Sequence, residues 1–359
     1  MGHLSAAPSL HTNAASRTTT LRELFYASTL LLGAMTHPVM ADSVEDFYRG
    51  KKIDLIIGYS PGATYDLYSR LVARHMGDHI PGNPKIIPRN MAGGGSRVAV
   101  NYLSKVAPRD GTVLATADQS LPVEQAMHDK LLTIDVTTLN WIGNPIASNN
   151  TTVAWYTSGI RTIEDAKTQE VSVGATGAST SSQYPRAMNA LLGTKFKVII
   201  GYPGANDINL AMERGEVAAK GSDSWAAWKA TRPAWLKDKK INVLVQIGLT
   251  KSSEMPDVPL MMDLAKTKED RDVLKLLSAS VIIGRPLFTA AEVPAERVAA
   301  LRKAFDDTMV DPDFLAEARE AHLDVSPVSG VDLQKLVSEV ASTPKSIADR
   351  LVDIIGAPE

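Results

Sequence analysis

Cysteine is absent from this 359-residue chain. Its absence removes disulfides, thiolate metal sites, cysteine nucleophiles and lipid attachment to an N-terminal cysteine. A positive surplus is missing too: 38 basic residues against 40 acidic ones give a formal net charge of -2. With nothing to neutralise a phosphate backbone, nucleic acid is excluded as a partner. Apolar runs of bilayer length are lacking, because the run Leu24–Met35 falls well short of the ~20 residues that a span requires. The G-x-S-x-G spacing of a nucleophile elbow occurs at Gly58–Gly62 (GYSPG), but no G-x-G-x-x-G fingerprint or Gly-Lys-Ser/Thr phosphate loop does. Histidine is scarce, with His75, His79, His128 and His322 beyond the first 41 positions. His75 and His79 stand four apart, a spacing that chelates metal on a helix, but Gly77 intervenes and Pro81 follows. They read as two exposed imidazoles near a helix end. No carboxylate spacing singles out an acid–base pair.

Apolar residues at 44% and charged residues at 22% are ordinary for a soluble globular protein, and the length allows two domains with separate cores. Residues 1–41 read differently. Arg17 and Arg22 precede the apolar run, and Pro38-Val39-Met40-Ala41 puts short side chains before Asp42. A basic lead, about 12 apolar residues and a small-residue end describe an export signal, with cleavage expected after Ala41. The mature protein is expected outside the cytoplasm.

From Lys52 the pattern alternates strand and helix. Ile53–Gly58 predicts a strand, Asp66–Met76 a helix stopped by Gly77, and Lys85–Pro88 a strand. Ser96 is positioned to cap a helix through Lys105 with Val98, Tyr102 and Leu103 on one face. Thr112–Thr116 predicts a strand, and Pro122 fits the first turn of the next helix. Trp141–Gly143 and Thr151–Tyr156 read as strands with no helix between them, where a crossover between domains is expected. A second series follows: a capping box at Thr162–Asp165, strand Val171–Ala175, helix Gln183–Leu192, strand Phe196–Ile200, a helix ending at Gly215, and strands Val217–Gly221 and Ile241–Ile247. Ser280–Gly284 reads as a strand returning to the first domain, followed by helices Pro294–Met309, Pro312–Ala321 and Val331–Ile355. Alternation of this kind implies an α/β fold with mostly parallel sheets flanked by helices.

Three strand-to-helix loops draw attention. In Ile53–Asp66, IDLIIGYSPGATYD, Gly62 allows close approach to the main chain, Thr64 adds a hydroxyl and Asp66 sits in the first helical turn. Ala92-Gly93-Gly94-Gly95-Ser96 places three glycines before a helix, at about 2–3 kcal/mol of folding entropy relative to alanine. Val171–Ser182 carries Thr176, Ser179, Thr180, Ser181 and Ser182. A fourth loop, Gly201–Asp207, offers Tyr202 and Asn206. Helix starts leave backbone N–H groups unpaired and favour anions, so the loops are expected to converge on one small, negatively charged ligand. Arg97 and Arg186 lie near them, although a solvated helix face is the plainer reading of each. Trp225, Trp228 and Trp235 share one helical face, which core or interdomain packing explains; an aromatic acid becomes a ligand class if one reaches the cleft.

The runs Pro61–Asp66 (PGATYD), Asn90–Gly95 (NMAGGG) and Ala107–Thr112 (APRDGT), with Tyr202–Ala205, Gly215–Val217 and Pro256–Pro259, resemble the tripartite tricarboxylate transporter receptors, the Bug-type periplasmic solute-binding proteins. The resemblance spans nearly the whole mature chain. It implies a two-domain Venus flytrap, with residues 42–145 and 282–359 as one domain, residues 146–281 as the other, and hinges near 143–150 and 280–286. It further implies a periplasmic, monomeric receptor, with no cofactor, metal or catalysis, that captures a small carboxylate (di- or tricarboxylate, amino-acid-like or aromatic). The partners implied are a large and a small integral membrane subunit of the transporter. Carried over, Gly62, Ala63 and Thr64 grip one carboxylate and Gly94, Gly95 and Ser96 line the same half, with Ser60, Asp66, Gly93 and Asp118 also expected at the ligand site. Thr176, Ala178, Ser179, Thr180, Ser181, Tyr202, Asn206 and Asp223 face them. Ala63 stands where the family has a second glycine, a strained choice if its φ is positive. Asp118 stands where many members have Gly or Ser, and it either repels a second carboxylate or binds an amine or hydroxyl. A co-receptor for a membrane sensor kinase and an exported enzyme acting on a small organic acid are the alternatives.

Overall fold

Isoleucines and leucines at Ile53, Leu55, Ile56 and Ile57 have no exposed surface to speak of, and they make β1 (Lys52–Ile57) the spine of the first sheet. The computed structural model of the chain describes residues 43–128 and 132–356, so the expected export signal lies outside it. In chain order the first half contains α1 (Val44–Tyr48), β1, α2 (Thr64–His79), β2 (Lys85–Asn90), a 3-10 turn (Gly94–Ser96), α3 (Arg97–Lys105), β3 (Val113–Thr116), α4 (Leu121–Ala126) and β4 (Asn140–Asn144). A second series holds β5 (Asn150–Trp155), α5 (Asp165–Thr168), β6 (Val171–Gly174), α6 (Thr180–Leu192), β7 (Phe196–Ile199), α7 (Ala205–Glu213), β8 (Ala219–Ser224), α8 (Trp225–Thr231), α9 (Pro233–Lys237) and β9 (Ile241–Ile247). The chain ends in α10 (Lys268–Ile283), β10 (Leu287–Thr289), α11 (Ala295–Met309), α12 (Pro312–Glu320), β11 (Val328–Ser329), α13 (Gly330–Ala341) and α14 (Lys345–Ile355).

Two sheets flanked by helices result, in keeping with the α/β reading. They are mixed rather than mostly parallel, because the strands that cross between the sheets or return late in the chain join antiparallel. The first has the order β11-β4-β10-β3-β1-β2, parallel across β3-β1-β2 and antiparallel where β10, β4 and β11 join. The second has the order β7-β6-β8-β5-β9, parallel across β7-β6-β8 and antiparallel at β5 and β9. Apolar clusters cover both faces of each sheet, and both sheets belong to one compact unit. Residues 145–149 carry the chain from the first sheet to the second, and α10 leads back to β10. Asn144 ties these two passages together: its Nδ2 donates to Ile282 O at 3.0 Å, and its Oδ1 accepts from Ile146 N at 3.0 Å and Arg285 N at 2.9 Å. The last helix, α14, packs on α6 of the second series through Leu351 and Ile355.

Several local expectations are corrected. Gly77 does not stop α2, which runs on to His79; it is small because a Cβ there would strike the Pro84 carbonyl oxygen. Ser280–Gly284 is not a strand but the last turn of α10, whose buried Leu274, Leu277 and Val281 repeat at helical spacing. The final helix is broken in two at Thr343-Pro344. Val98 is exposed, and α3 buries Ala99, Val100 and Leu103 instead. His75 and His79 are partly buried rather than exposed, paired through Nε2 with Glu317 at 2.7 Å and Asp311 at 2.9 Å on the neighbouring α12 side. No group of three or more potential metal ligands clusters among the described residues.

Candidate functional site

β1, β3, β6 and β7 each run out into a loop and a helix start, and the openings of α2, α4, α6 and α7 meet between the two sheets beside β8. A cavity lies at that meeting. Ala63, Thr64, Asp118, Thr176, Thr180, Ser181 and Asp223, all expected at the site, line it. Ala63 has φ -88°, so the residue carries no strain, and the positive φ falls on Gly62. Thr64 opens α2, and its Oγ1 accepts from Arg285 Nη2 at 3.2 Å.

The remaining expected residues stand outside the cavity, each held by the chain itself. Gly62 N–H donates to Asp66 Oδ2 at 2.9 Å, and Asp66 also accepts from Arg70 Nε at 2.9 Å and Asn90 Nδ2 at 2.8 Å. Burial alone raises the Asp66 pKa, but these donors outweigh it and hold the carboxyl low. Ser60 Oγ donates to Asp207 Oδ2 at 2.8 Å across the cleft. Gly93, Gly94 and Gly95 do not line the cavity. Gly95 N–H donates to Thr176 O at 3.1 Å, and a Cβ on Gly95 would strike the Ala178 carbonyl, so the three glycines let two backbones clasp across the cleft. Ser96 does not cap α3; its φ is +77°, and its Oγ accepts from Asp118 N at 3.2 Å. Ser179 caps α6 in a box with Ser182 and shares its hydroxyl with Thr176 at 3.0 Å and Ser181 at 2.7 Å, so the hydroxyl loop is knit into itself. Asn206 accepts from Arg232 Nη2 at 3.3 Å, and Tyr202 packs on the tryptophan cluster.

Sequence reasoning missed the cavity's basic residues, Lys220 and Arg285. Lys220, with 1% exposure, donates to Asp223 Oδ2 at 2.5 Å, Asn209 Oδ1 at 2.9 Å and Ala205 O at 3.2 Å, and sits 4.7 Å from the Trp228 ring centroid. Burial pushes its pKa down while Asp223 opposes the fall. Arg285, just after α10, is 5% exposed and lies 3.7 Å from Asp223 and 5.1 Å from the Tyr65 ring centroid. Its Nε and Nη1 have no hydrogen-bond partner. Tyr59, Tyr65, Gln119, Asn150, Ala205, Ile208 and Ser222 complete the lining. Tyr59 OH donates to Asp118 Oδ2 at 2.5 Å, and burial followed by the Asp118 charge raises its pKa, which keeps it a neutral donor. Neither Arg97 nor Arg186 lines the cavity: Arg97 pairs with Glu124 at 2.9 Å, and Arg186 donates to Ile355 O at 3.3 Å. Trp228 and Trp235 are core residues beside the site, and no tryptophan lines it.

The arrangement can hold a small anion by one buried guanidinium and a set of neutral polar groups. Comparison with known proteins agrees with the architecture. No curated protein sequence matches the chain. Among solved structures, the periplasmic binding protein BugD is similar at a TM-score of 0.69 and 16% identity, over 87% of this chain and 99% of its own. MatC from Rhodopseudomonas palustris with bound malate is similar at 0.66 and 16%, over 83% and 99%. An R. palustris protein with adipate is similar at 0.66 and 15%, over 86% and 98%. The profile of the family described as tripartite tricarboxylate transporter family receptor matches residues 69–352, well over half the sequence. The chain belongs to that receptor family.

Proposed function

We propose that the protein is an extracytoplasmic solute receptor that captures a small carboxylate between its two sheets and delivers it to a tripartite tricarboxylate-type transporter. The buried Arg285, with two nitrogens lacking a partner, carries this reading. A charge taken out of water costs several kcal/mol unless something meets it, and a ligand carboxylate does so. The family supplies the context: solved relatives of the same fold hold malate and adipate. Its partners are then the large and small membrane subunits, and the chain acts as a periplasmic monomer after loss of residues 1–41. No helix among the described residues is long and apolar enough to cross a membrane. The reading assigns binding without turnover.

Mass spectrometry of protein purified without refolding, followed by melting curves with mono-, di- and aromatic carboxylates, tests it. At a hundredfold excess over Kd a ligand stabilises by about 2.7 kcal/mol, a rise on the order of 5 °C. At least one carboxylate is expected to give that rise, and its neutral amide none. If no carboxylate moves the melting curve, or if one is converted to product, the receptor reading falls.

A further inference from the structure

Every charged side chain in the cavity has a partner in the chain, Arg285 included through Asp223 at 3.7 Å and Thr64 at 3.2 Å. Arg285 alone among them keeps donors with no hydrogen-bond partner. Asp118 accepts from Tyr59 OH at 2.5 Å, Ser120 N at 2.9 Å and Thr180 N at 3.3 Å. The last of these is an amide at the start of α6, so a carboxylate of the protein occupies the helix end that would seat a second ligand carboxylate. Lys220 spends its donors on Asp223, Asn209 and Ala205, and Asp223 also accepts from Ser224 N at 2.9 Å. Arg285 is left with Nε and Nη1 unpartnered.

Two neutral groups share that state. Gln119 is 1% exposed, with both amide atoms unpartnered; Asn150 is 2% exposed, with Oδ1 unpartnered while its Nδ2 donates to Ser222 Oγ at 3.0 Å. The Tyr184 hydroxyl lies beside both amides but is bonded to Ser280 Oγ at 2.8 Å. An orphaned amide oxygen calls for a donor such as a hydroxyl. The cavity volume of ≈ 40 Å³ restricts the occupant to a short ligand.

We propose that the cavity takes a short hydroxy monocarboxylate, its carboxylate on the Arg285 guanidinium and its hydroxyl on the Gln119 and Asn150 amides, and that Asp118 excludes a second carboxylate. The assignment rests on the receptor reading and narrows it. A dicarboxylate of similar size would bring its second charge toward an aspartate already saturated with donors, where like charges repel.

Calorimetric titration with lactate, propionate and malate separates the contributions. Propionate lacks the hydroxyl and malate adds a carboxylate, so each is expected to bind about tenfold or more weaker than lactate, the worth of one buried polar contact. Asp118→Asn is expected to raise malate affinity about tenfold relative to lactate. Arg285→Gln is expected to lose lactate binding by about tenfold or more, with Arg285→Lys between it and the parent. Circular dichroism checks that each variant is folded, and the comparison of the three acids on the parent protein stands whether or not they are. Malate binding as tightly as lactate, or propionate matching lactate, overturns the ligand class while leaving a carboxylate receptor. Lactate affinity unchanged in folded Arg285→Gln overturns the assignment of the cation. Failure of every carboxylate to bind is the separate outcome that removes the receptor itself.

Discussion

Glu124 is fully buried in α4, with Ser120 Oγ donating to it at 2.6 Å and Arg97 Nη2 at 2.9 Å. Burial, reinforced by the nearby Asp118 charge, lifts its pKa from 4.5 to about 7 against the pull of Arg97. The folded state therefore holds a proton through the window from 4.5 to about 7 that the unfolded chain has released. The stability this contributes is complete below pH 4.5 and is lost as the pH rises to about 7, a change on the order of 3 kcal/mol. Glu124→Gln should remove that slope: near parity with the parent at pH 5, and greater stability at pH 8, by urea denaturation at both. Parallel pH profiles for the two proteins would contradict the assignment. Such residues are hard to read from sequence. Arg285 sits in an undistinguished Gly-Arg-Pro run, and it meets Thr64 221 positions away, a juxtaposition that tertiary folding alone creates. The loop residues Ala63, Thr64, Thr176, Thr180 and Ser181 were legible, because strand-to-helix turns announce themselves in local composition.

Secondary elements were legible where period and punctuation agreed, as in β1, β6, α11 and the Thr162–Asp165 cap, whose threonine and aspartate bond each other's backbone N–H groups. They were misread where a local preference was overruled. SVIIG at Ser280–Gly284 is rich in β-branched residues, yet a Thr267 cap bonded to Asp270 N starts a helix that carries through it. Gly77 shows the converse error, a glycine that suggested an end and instead makes room inside α2. Alanine in an exposed helix interior stabilises by roughly 0.5–1 kcal/mol over glycine. At Gly77 the sign should invert: Gly77→Ala pushes α2 off the Pro84 carbonyl and is expected to cost about 1–3 kcal/mol by overpacking. Denaturant melts decide between them, and a more stable variant would mean that the contact is not there.

At the scale of the whole molecule, the glycine-rich loops supply bonds between the two halves. Ser60–Asp207, Gly95–Thr176 and Asp118–Thr180 join the two halves around the cavity, while Asn144 ties the two connecting passages on which Arg285 is carried. A ligand held by groups from both halves favours the closed arrangement by the contacts it makes there and loses on opening. A bond that lies outside the cavity but joins the halves should then tune affinity without touching ligand. Ser60→Ala removes one such bond, worth about 1 kcal/mol, and should weaken carboxylate binding about fivefold, expressed as faster dissociation in stopped-flow traces. Asp207→Ala should do the same, and the double variant little more, because both break one interaction. Small-angle scattering of the ligand-free variants should show a larger radius of gyration than the parent, and saturating ligand should restore it. Should Ser60→Ala bind and scatter as the parent does, the cross-cleft bonds are surface contacts of no mechanical consequence, and affinity is set inside the cavity alone.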